Sequence, residues 1–449
     1  MNREMKDSGV EWIGEIPYYW TPIKLKHTSN IVRGGSPRPI EAYLTDGTGY
    51  NWIKIGDTIK GNKYIKSTKQ KIISEGLSKT RYVKKDTLLL TNSMSYGEAY
   101  ILDIDGCIHD GWLAFSDYQN ANKEYLYYCL ISAFCKNQFG SIVDGGVVSN
   151  LNIEKVKNAM VLLPSPTEQQ QIVHFLDCKC TAINIAIEKT EKSIEKLEEY
   201  KKAVITKAVT KGIDPNAKMN GAHFLWLTAI PENWGIYKLN HILDYNHPYP
   251  LGDGDHGSIK ADSYVSSGIP FIRVQNLGYA EPINIENVVY ITEAQNQKIQ
   301  NSTLAPNDIL FAKTGATIGK TAIMPQTISR ANTTSHIGKI TVDTRYYVPK
   351  YIFYALSSEI GNHQLWSIAN KKATRPEVGL DEVKYIKLCI PLSVTEQKQI
   401  ADFLDEKLNQ INNAISNYAN LIRKLEEYKK SLIYYAVTGK TDCRNEVIE

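Results

Sequence analysis

The sequence predicts an α/β (α+β) chain of two similar globular domains, separated by two long helices that form an intramolecular antiparallel coiled coil with a pseudo-two-fold internal repeat. Three observations predict it. Long segments occur twice in the same order; the repeated segments carry heptad-spaced apolar seams; the stretches between them mix short strand-like runs with helical ones.

The duplication comes first. Thr167-Glu168-Gln169-Gln170-Gln171-Ile172 recurs as Thr395-Glu396-Gln397-Lys398-Gln399-Ile400. Phe-Leu-Asp at 175–177 recurs at 403–405, Leu197-Glu198-Glu199-Tyr200-Lys201-Lys202 at 425–430, and Ala208-Val209-Thr210 at 436–438, all at one offset of 228. A second set opens each half at an offset of 214: Ile16-Pro17, Trp20, Lys24-Leu25 and His27 against Ile230-Pro231, Trp234, Lys238-Leu239 and His241. Between opener and helix the halves diverge, although Asp86 to Gly97 can be laid on Asp308 to Gly319 without a gap. Such spacing is far longer than a solenoid repeat, so it reads as domain duplication. The domains run 1–166, 167–212 (helix), 213–394 and 395–449 (helix and tail).

The repeated segments read as helices. Thr167 follows Pro164 and Pro166 as an N-cap candidate, with helix formers after it. Heptad stripes run through Leu176, Ile183, Thr190, Leu197 and Val204, and through Ile187, Ile194, Lys201 and Ala208. The second copy has Leu404, Ile411, Tyr418, Leu425 and Leu432, with Ile415, Ile422, Lys429 and Ala436. A narrow seam of this kind suits lengthwise helix pairing. Gly212 with Asp214-Pro215, and Gly439, stop the helices. About 42 residues at 1.5 Å each give a rod of ~60 Å, with one variable domain near each end.

In the variable stretches, Trp52-Ile53-Lys54-Ile55 resembles Phe271-Ile272-Arg273-Val274, and each breaks into a polar loop, Gly56-Asp57 or Gln275-Asn276. Tyr125 to Phe134 and Tyr351 to Leu356 read as helices. Gly145-Gly146 and Lys371 to Arg375 read as loops before a last apolar strand, Ala159 to Leu163 or Ile386 to Ile390.

Composition narrows the class. At 43% hydrophobic and 22% charged residues the chain reads as folded rather than disordered, and a net charge of +4 lifts nucleic acid only slightly. Met1 to Asp7 is polar, no signal-peptide core follows, and no apolar run reaches ~18 residues, so a cytoplasmic protein with no membrane contact is expected. Seven cysteines without a Cys-x-x-Cys pair read as free thiols. His174 and Cys178 stand one helical turn apart but fall short of a structural zinc site, so no metal is expected.

Two stretches mimic enzyme motifs. Gly315-Ala316-Thr317-Ile318-Gly319-Lys320-Thr321 has three residues between its glycines where a phosphate loop needs four. Asn246-His247-Pro248-Tyr249 has His inside what would be an adenine-methyltransferase Asn-Pro-Pro-Tyr, and no fitting Gly-rich loop accompanies it. HExxH and Gly-x-Ser-x-Gly are absent from the sequence. No catalytic residue is assigned.

Ser8-Gly9-Val10-Glu11-Trp12-Ile13-Gly14-Glu15-Ile16-Pro17 closing at Trp20, Thr314-Gly315-Ala316-Thr317-Ile318-Gly319-Lys320, and the helix openings Pro164 with Glu168-Gln169 and Ile172, or Pro391 with Glu396-Gln397 and Ile400, resemble specificity subunits of Type I restriction-modification systems. Together with the duplicated layout, the resemblance covers essentially the whole chain. It departs from the pattern at Ser95-Tyr96-Gly97-Glu98, where Thr-Ile-Gly-Lys stands in the second half. The resemblance implies a non-catalytic subunit with two target recognition domains, each reading one part of a split, asymmetric double-stranded DNA site. It implies helices that set the spacing and dock two modification (methyltransferase) subunits, with restriction subunits joining. S-adenosylmethionine, ATP and Mg are implied on those partners only.

For base reading, Arg273, Gln275 and Asn276 sit at a strand-to-loop exit, and Arg suits guanine as Asn or Gln suits adenine. Lys313, Thr317 and Lys320 are phosphate candidates, and Arg33, Arg38, Lys54 and Lys60 lie in Gly- and Pro-marked loops of the first half. Two other readings stay open: a coiled-coil scaffold with two protein-binding domains, and a methyltransferase built on Asn246 to Tyr249.

Overall fold

In the computed structural model, residues 3–10, 13–59, 61–93, 97–142, 151–370 and 376–444 are described. The chain divides into two compact units, Met1–Glu191 with Tyr418–Glu449, and Lys192–Asn417. Each unit holds one globular domain together with part of both long helices, which span Pro166–Lys211 and Val394–Val437, 46 and 44 residues.

The helices pair antiparallel in both units. In the first, Leu176 and Ile183 of the first helix share a core with Leu432, Ile433 and Ala436 of the second, and Ile187 and Leu425 pack against it. The Lys429 ammonium donates to the Asn184 side chain at 2.7 Å. In the second, Ile205, Ala208 and Val209 share a core with Leu404, Leu408 and Ile411, flanked by Leu197, Val204 and Ile415. Ile194 and Ile422 are half-buried and belong to neither core. Lys201, a polar seam position, is buried and donates to Glu281 at 2.8 Å.

The first helix start differs from the sequence expectation, and the second is built in the same way as the first. The cap is Ser165 rather than Thr167: its hydroxyl accepts from the Glu168 N–H at 3.3 Å, and Ser393 accepts from Glu396 at 3.4 Å. Pro166 then occupies the first helical turn, where a missing N–H costs nothing. Gly212 and Gly439 follow the helices at φ of 74° and 69°, left-handed values that favour glycine.

A repeated set of side chains joins domain to helix. Trp20 Nε1 donates to Glu168 at 3.0 Å, and Trp234 Nε1 to Glu396 at 2.9 Å. Gln169 accepts from the Asn122 N–H and donates to the Asn120 and Pro164 carbonyls; Gln397 accepts from Val348 and donates to Tyr346 and Pro391. Tyr125 and Tyr351, both fully buried, donate to the Leu162 and Cys389 carbonyls at 2.6 and 2.7 Å.

Among the described residues each domain has a two-stranded ribbon beside the helix (Thr21–Lys24 with Met160–Leu163, and Trp234–Lys238 with Lys387–Pro391), a second two-stranded pair (Met5–Asp7 with Glu15–Pro17, and Met219–Phe224 with Leu227–Pro231) and two larger sheets. In the first domain the sheet order is Asn30–Arg33, Trp112–Ser116, Leu88–Thr91, Ala99–Leu102, Tyr64–Ile65. Its counterpart is Leu251–Asp253, Ile337–Ile340, Ile309–Ala312, Thr321–Ile323. The other sheet has five strands in the first domain and three in the second. The predicted late helices are present as Lys123–Ile131 and Pro349–Ser357, each followed by a second helix. The loops expected at Gly145-Gly146 and Lys371 to Arg375 lie outside the described residues.

The gapless alignment of Asp86 to Gly97 on Asp308 to Gly319 fails by one residue. Leu88 pairs with Phe115 and Thr91 with Trp112, whereas Ile309 pairs with Ile340 and Ala312 with Ile337, so Leu88 matches Ile309 and not Leu310. The second domain inserts its extra residue after the strand, where a turn absorbs it without turning the strand's side chains to the wrong face.

The seam predicts a contrast. Leu404→Ala empties a fully buried position and should lower stability by about 2–5 kcal/mol. Leu421→Ala, at a residue 42% exposed on the same helix, should change it by less than about 0.5 kcal/mol. Denaturant unfolding followed by circular dichroism measures both.

Candidate nucleic-acid interface

The same local construction recurs at the exit of one strand in each domain. Tyr50–Ile53 runs into a 3-10 turn at Ile55–Asp57, and the Asp57 carboxylate accepts from the Lys54 N–H at 2.8 Å. Ile269–Ile272 runs into Val274–Asn276, and the Asn276 side-chain oxygen accepts from the Arg273 N–H at 2.9 Å. A short acceptor three residues on captures the free N–H that opens each turn. Both strands also pair in parallel with a strand from later in the chain, Trp52 opposite Cys107 and Phe271 opposite Asn332. A basic residue therefore stands at matching places in the two domains, and each lines a cleft.

The first cleft, of about 770 Å³, is walled by Pro37, Ile40, Leu44 and Trp52, with Arg38, Lys54, Gln70 and His109 as its polar residues of note. Lys54 Nζ donates to Gln70 at 2.6 Å. The Arg38 side chain is 83% exposed, with Asp110 3.7 Å away. Arg33 Nε donates to the Asp110 carbonyl at 2.8 Å. The His109 ring nitrogens face the Ile55 and Gly111 N–H groups at 3.2 and 2.8 Å. Burial holds the His109 pKa below its usual value, partly opposed by Asp110, which favours the neutral ring, whose one unprotonated nitrogen can accept from one of these two N–H groups. Lys60 lies outside the described residues, as do Ser95 and Tyr96.

The second cleft, of about 630 Å³, is lined by Arg273, Gln275, Asn276, Asn284, Glu286 and Asn287 among others. Arg273 Nη2 donates to the Asn287 carbonyl at 3.0 Å, and its guanidinium lies 5.8 Å from the Tyr264 ring centre. Its Nε is buried without a hydrogen-bond partner, and Gln275 is exposed. Asn276 is placed differently from its neighbours. It is buried, and its amide donates to the Asn284 carbonyl at 2.9 Å, so both ends of the side chain brace the loop.

The other second-domain candidates lie on a separate turn. Lys313 is buried in an ion pair with Asp253. The Thr317 hydroxyl donates to the Thr314 carbonyl at 2.8 Å, and the Lys320 ammonium lies 5.9 Å from the Tyr279 ring centre. In this structure Asn276 and Lys313 act as internal braces. Arg273 and Gln275 share one cleft, and Arg38 and Lys54 share the other. Gln70, His109, Asn284 and Asn287 were not singled out from the sequence; strand pairing brings them in from distant segments, and no local pattern marks them.

Among the described residues, no group of three or more His, Cys, Asp or Glu could hold a metal ion, and no helix is long and apolar enough to cross a membrane. The Asn246 to Tyr249 stretch is an exposed to half-buried turn, where the Asp244 carboxylate accepts from the Asn246 N–H at 3.0 Å.

The family model described as the Type I restriction modification DNA specificity domain matches residues 17–199 and 231–421. The chain is 23% identical over 438 residues to the Type I restriction enzyme MjaVIII specificity subunit of Methanocaldococcus jannaschii, covering 96% of this chain and 95% of that one. It is 22% identical to the Type I restriction enzyme EcoBI specificity subunit of Escherichia coli, covering 94% and 88%. A chain solved in work on the complex assembly and conformational transition of a type I R-M system shares the fold, with a TM-score of 0.71 and 15% identity over 95% of this chain and 99% of that one. With the specificity domain present twice, over most of its length, this chain belongs to the Type I restriction modification DNA specificity family, whose part is to recognise DNA and not to catalyse.

Proposed function

We propose that the chain reads a bipartite, asymmetric double-stranded DNA target, one part with each domain, and docks two adenine-methyltransferase subunits and, with them, restriction subunits. The single observation that supports this best is the repeated strand exit, which sets Lys54 and Arg273 at matching places on clefts whose walls differ. A matching position suits one mode of approach to the duplex, and different walls suit different base sequences. Exposed Gln275 offers paired hydrogen bonds to an adenine edge, and the Arg273 guanidinium lining the same cleft is the matching donor for a guanine edge. Arg33, Arg38, Lys54 and Lys320 supply phosphate contacts that position the domains. S-adenosylmethionine, ATP and Mg belong to the partners, and the assembly works inside the cell, where its DNA is. The paired helices act as the ruler between the two parts of the site.

Three measurements test this reading. Arg273→Ala should relax base preference in one part of the target by about 1–3 kcal/mol per contacted base and leave the other part unchanged; equal weakening of both parts in a binding-site selection would refute it. Lys320→Ala should weaken target and non-target duplex alike and reduce the slope of log K against log salt by about one. Binding of the purified complex that ignores salt would instead favour a protein-binding scaffold. Four residues inserted in either long helix should lengthen the preferred spacer, read by mapping methylated adenines; an unchanged spacer would remove the ruler.

A further inference from the structure

The second domain holds a hollow of about 570 Å³ that the duplex reading leaves unused. Trp226, at the tip of the hairpin formed by Met219–Phe224 and Leu227–Pro231, stands at its edge with Tyr279; Asn362 and Trp366 come from the helix Glu359–Ala369, and Lys202 from the first long helix. All lie in one compact unit. Trp226 and Tyr279 are 50% and 48% exposed, a large area for rings beside a concave surface. The Trp226 ring is held edge-on against His363, with centroids 5.0 Å apart. Leu225 beside it has φ of +53°, an uncommon value for a bulky residue, so the tip is held in a specific shape.

A paired change between the domains falls at this hollow, one member, Asn362, in its lining and the other, Lys320, beside the lining Tyr279. Thr91 donates to the Glu98 carbonyl as Ala312 donates to that of Lys320, each at 2.9 Å, so Glu98 and Lys320 correspond. Lys136 and Asn362 correspond too, each two residues before a glutamine that bonds the last strand, Gln138 to Met160 and Gln364 to Lys387. In the first domain Glu98 and Lys136 form an ion pair at 2.5 Å. In the second, the acid has become Lys320, over the Tyr279 face, and the base has become Asn362. Lys320 has no carboxylate partner among the described residues. The Asn362 side-chain oxygen is buried with no hydrogen-bond partner. One carboxylate, Glu359, lines the hollow, against Lys202 in the lining and Lys320 beside it.

Exposed aromatic rings, a lysine and an acceptor without a partner are what an unpaired nucleotide needs: a stacking surface for the base, charge for the phosphate, and a partner for an exocyclic amine. The volume lies within the roughly 300–1,000 Å³ of small-ligand sites. We propose that this hollow binds a single unpaired nucleotide, its base on Trp226 and Tyr279, its phosphate at Lys202, and an exocyclic amine donating to Asn362. At the corresponding place in the first domain Glu98 and Lys136 neutralise each other.

The test uses the full chain and two probes, fluorescein-labelled (dA)8 and AMP, in equilibrium binding. The expected result is saturable binding of (dA)8 that falls at least tenfold in Trp226→Ala and in Asn362→Leu and is largely kept in Trp226→Phe, while affinity for the duplex target stays within twofold. Competition by AMP would identify a free nucleotide as sufficient, and (dA)8 binding without AMP competition would identify a strand as the ligand; either supports the site. Absence of binding by both probes at millimolar concentration, or (dA)8 binding unchanged in both Trp226→Ala and Asn362→Leu, would overturn it. Loss of duplex affinity along with (dA)8 binding in a variant that melts like the parent would also overturn it, because the hollow would then belong to duplex reading.

Discussion

A buried glutamine at the start of each long helix ties three stretches of chain together. Gln169 and Gln397 each accept one backbone N–H from the domain and donate to two carbonyls, one in the domain and one just before the helix. A buried amide with its oxygen and its NH2 group all bonded stabilises only in the one arrangement that satisfies it, and any slip leaves several buried groups bare. Each helix needs this anchoring. A narrow apolar seam buries little of a 46- or 44-residue helix, and long stretches face solvent with Lys, Glu and Asn. The neighbouring Glu168 and Glu396 fix the opening tryptophans, so each repeated Thr-Glu-Gln is a docking surface as well as a helix start.

Given that frame, sequence divergence is confined to what the frame does not hold. The sheets built around Leu88–Thr91 and Ile309–Ala312 keep the same neighbours, and these two central strands are fully buried. The outer sheets differ in strand number, and the clefts beside them differ in chemistry: prolines, isoleucine, leucine and tryptophan in one, amides and arginine in the other. The strand exit that sets Lys54 and Arg273 survives because one short acceptor, Asp57 or Asn276, is enough to build it.

This division explains what was legible in the sequence. The seam, the helix lengths and the late helices of each domain could be read because they rest on local periodicity, and ten of the twelve Leu, Ile and Val residues of the predicted stripes lie in or against a core. The matching of Trp52 to Ile55 with Phe271 to Val274 could be read for the same reason. The one-residue offset between Leu88 and Ile309 could not, since cross-strand partners fix register and both candidate alignments place apolar residues in the strand. Burial of Asn276 and Lys313 was hidden because their partners, Asn284 and Asp253, are recruited by tertiary folding. Cap identity turned on a single residue: Ser165 precedes Pro166, and a proline at the first helical position moves the cap one step back from Pro166, away from Thr167.

Conservation of a contact need not mean conservation of a position, and the carboxylates on the long helices demonstrate it. Asp177 accepts from Tyr128 and pairs with Lys63 at 2.7 Å; Asp405 accepts from Tyr354 and pairs with Lys350. The tyrosines correspond, but the lysines do not. The place of Lys350, just before Tyr351, is taken in the first domain by Glu124, just before Tyr125. That reversal would set two acids side by side, and Lys63, from a different segment, answers it by lying within 4 Å of both, at 2.7 Å from Asp177 and 3.6 Å from Glu124. What the fold requires at this junction is a cation against a half-buried carboxylate, whichever segment supplies it. The exchange of Glu98 and Lys136 for Lys320 and Asn362 runs the other way. There, among the described residues, no carboxylate pairs with Lys320, which lies over the Tyr279 ring, and the Asn362 side-chain oxygen has no partner. Where a charge change is answered, the site maintains structure; where it is left unanswered on a concave surface, the missing partner is to be sought in a ligand.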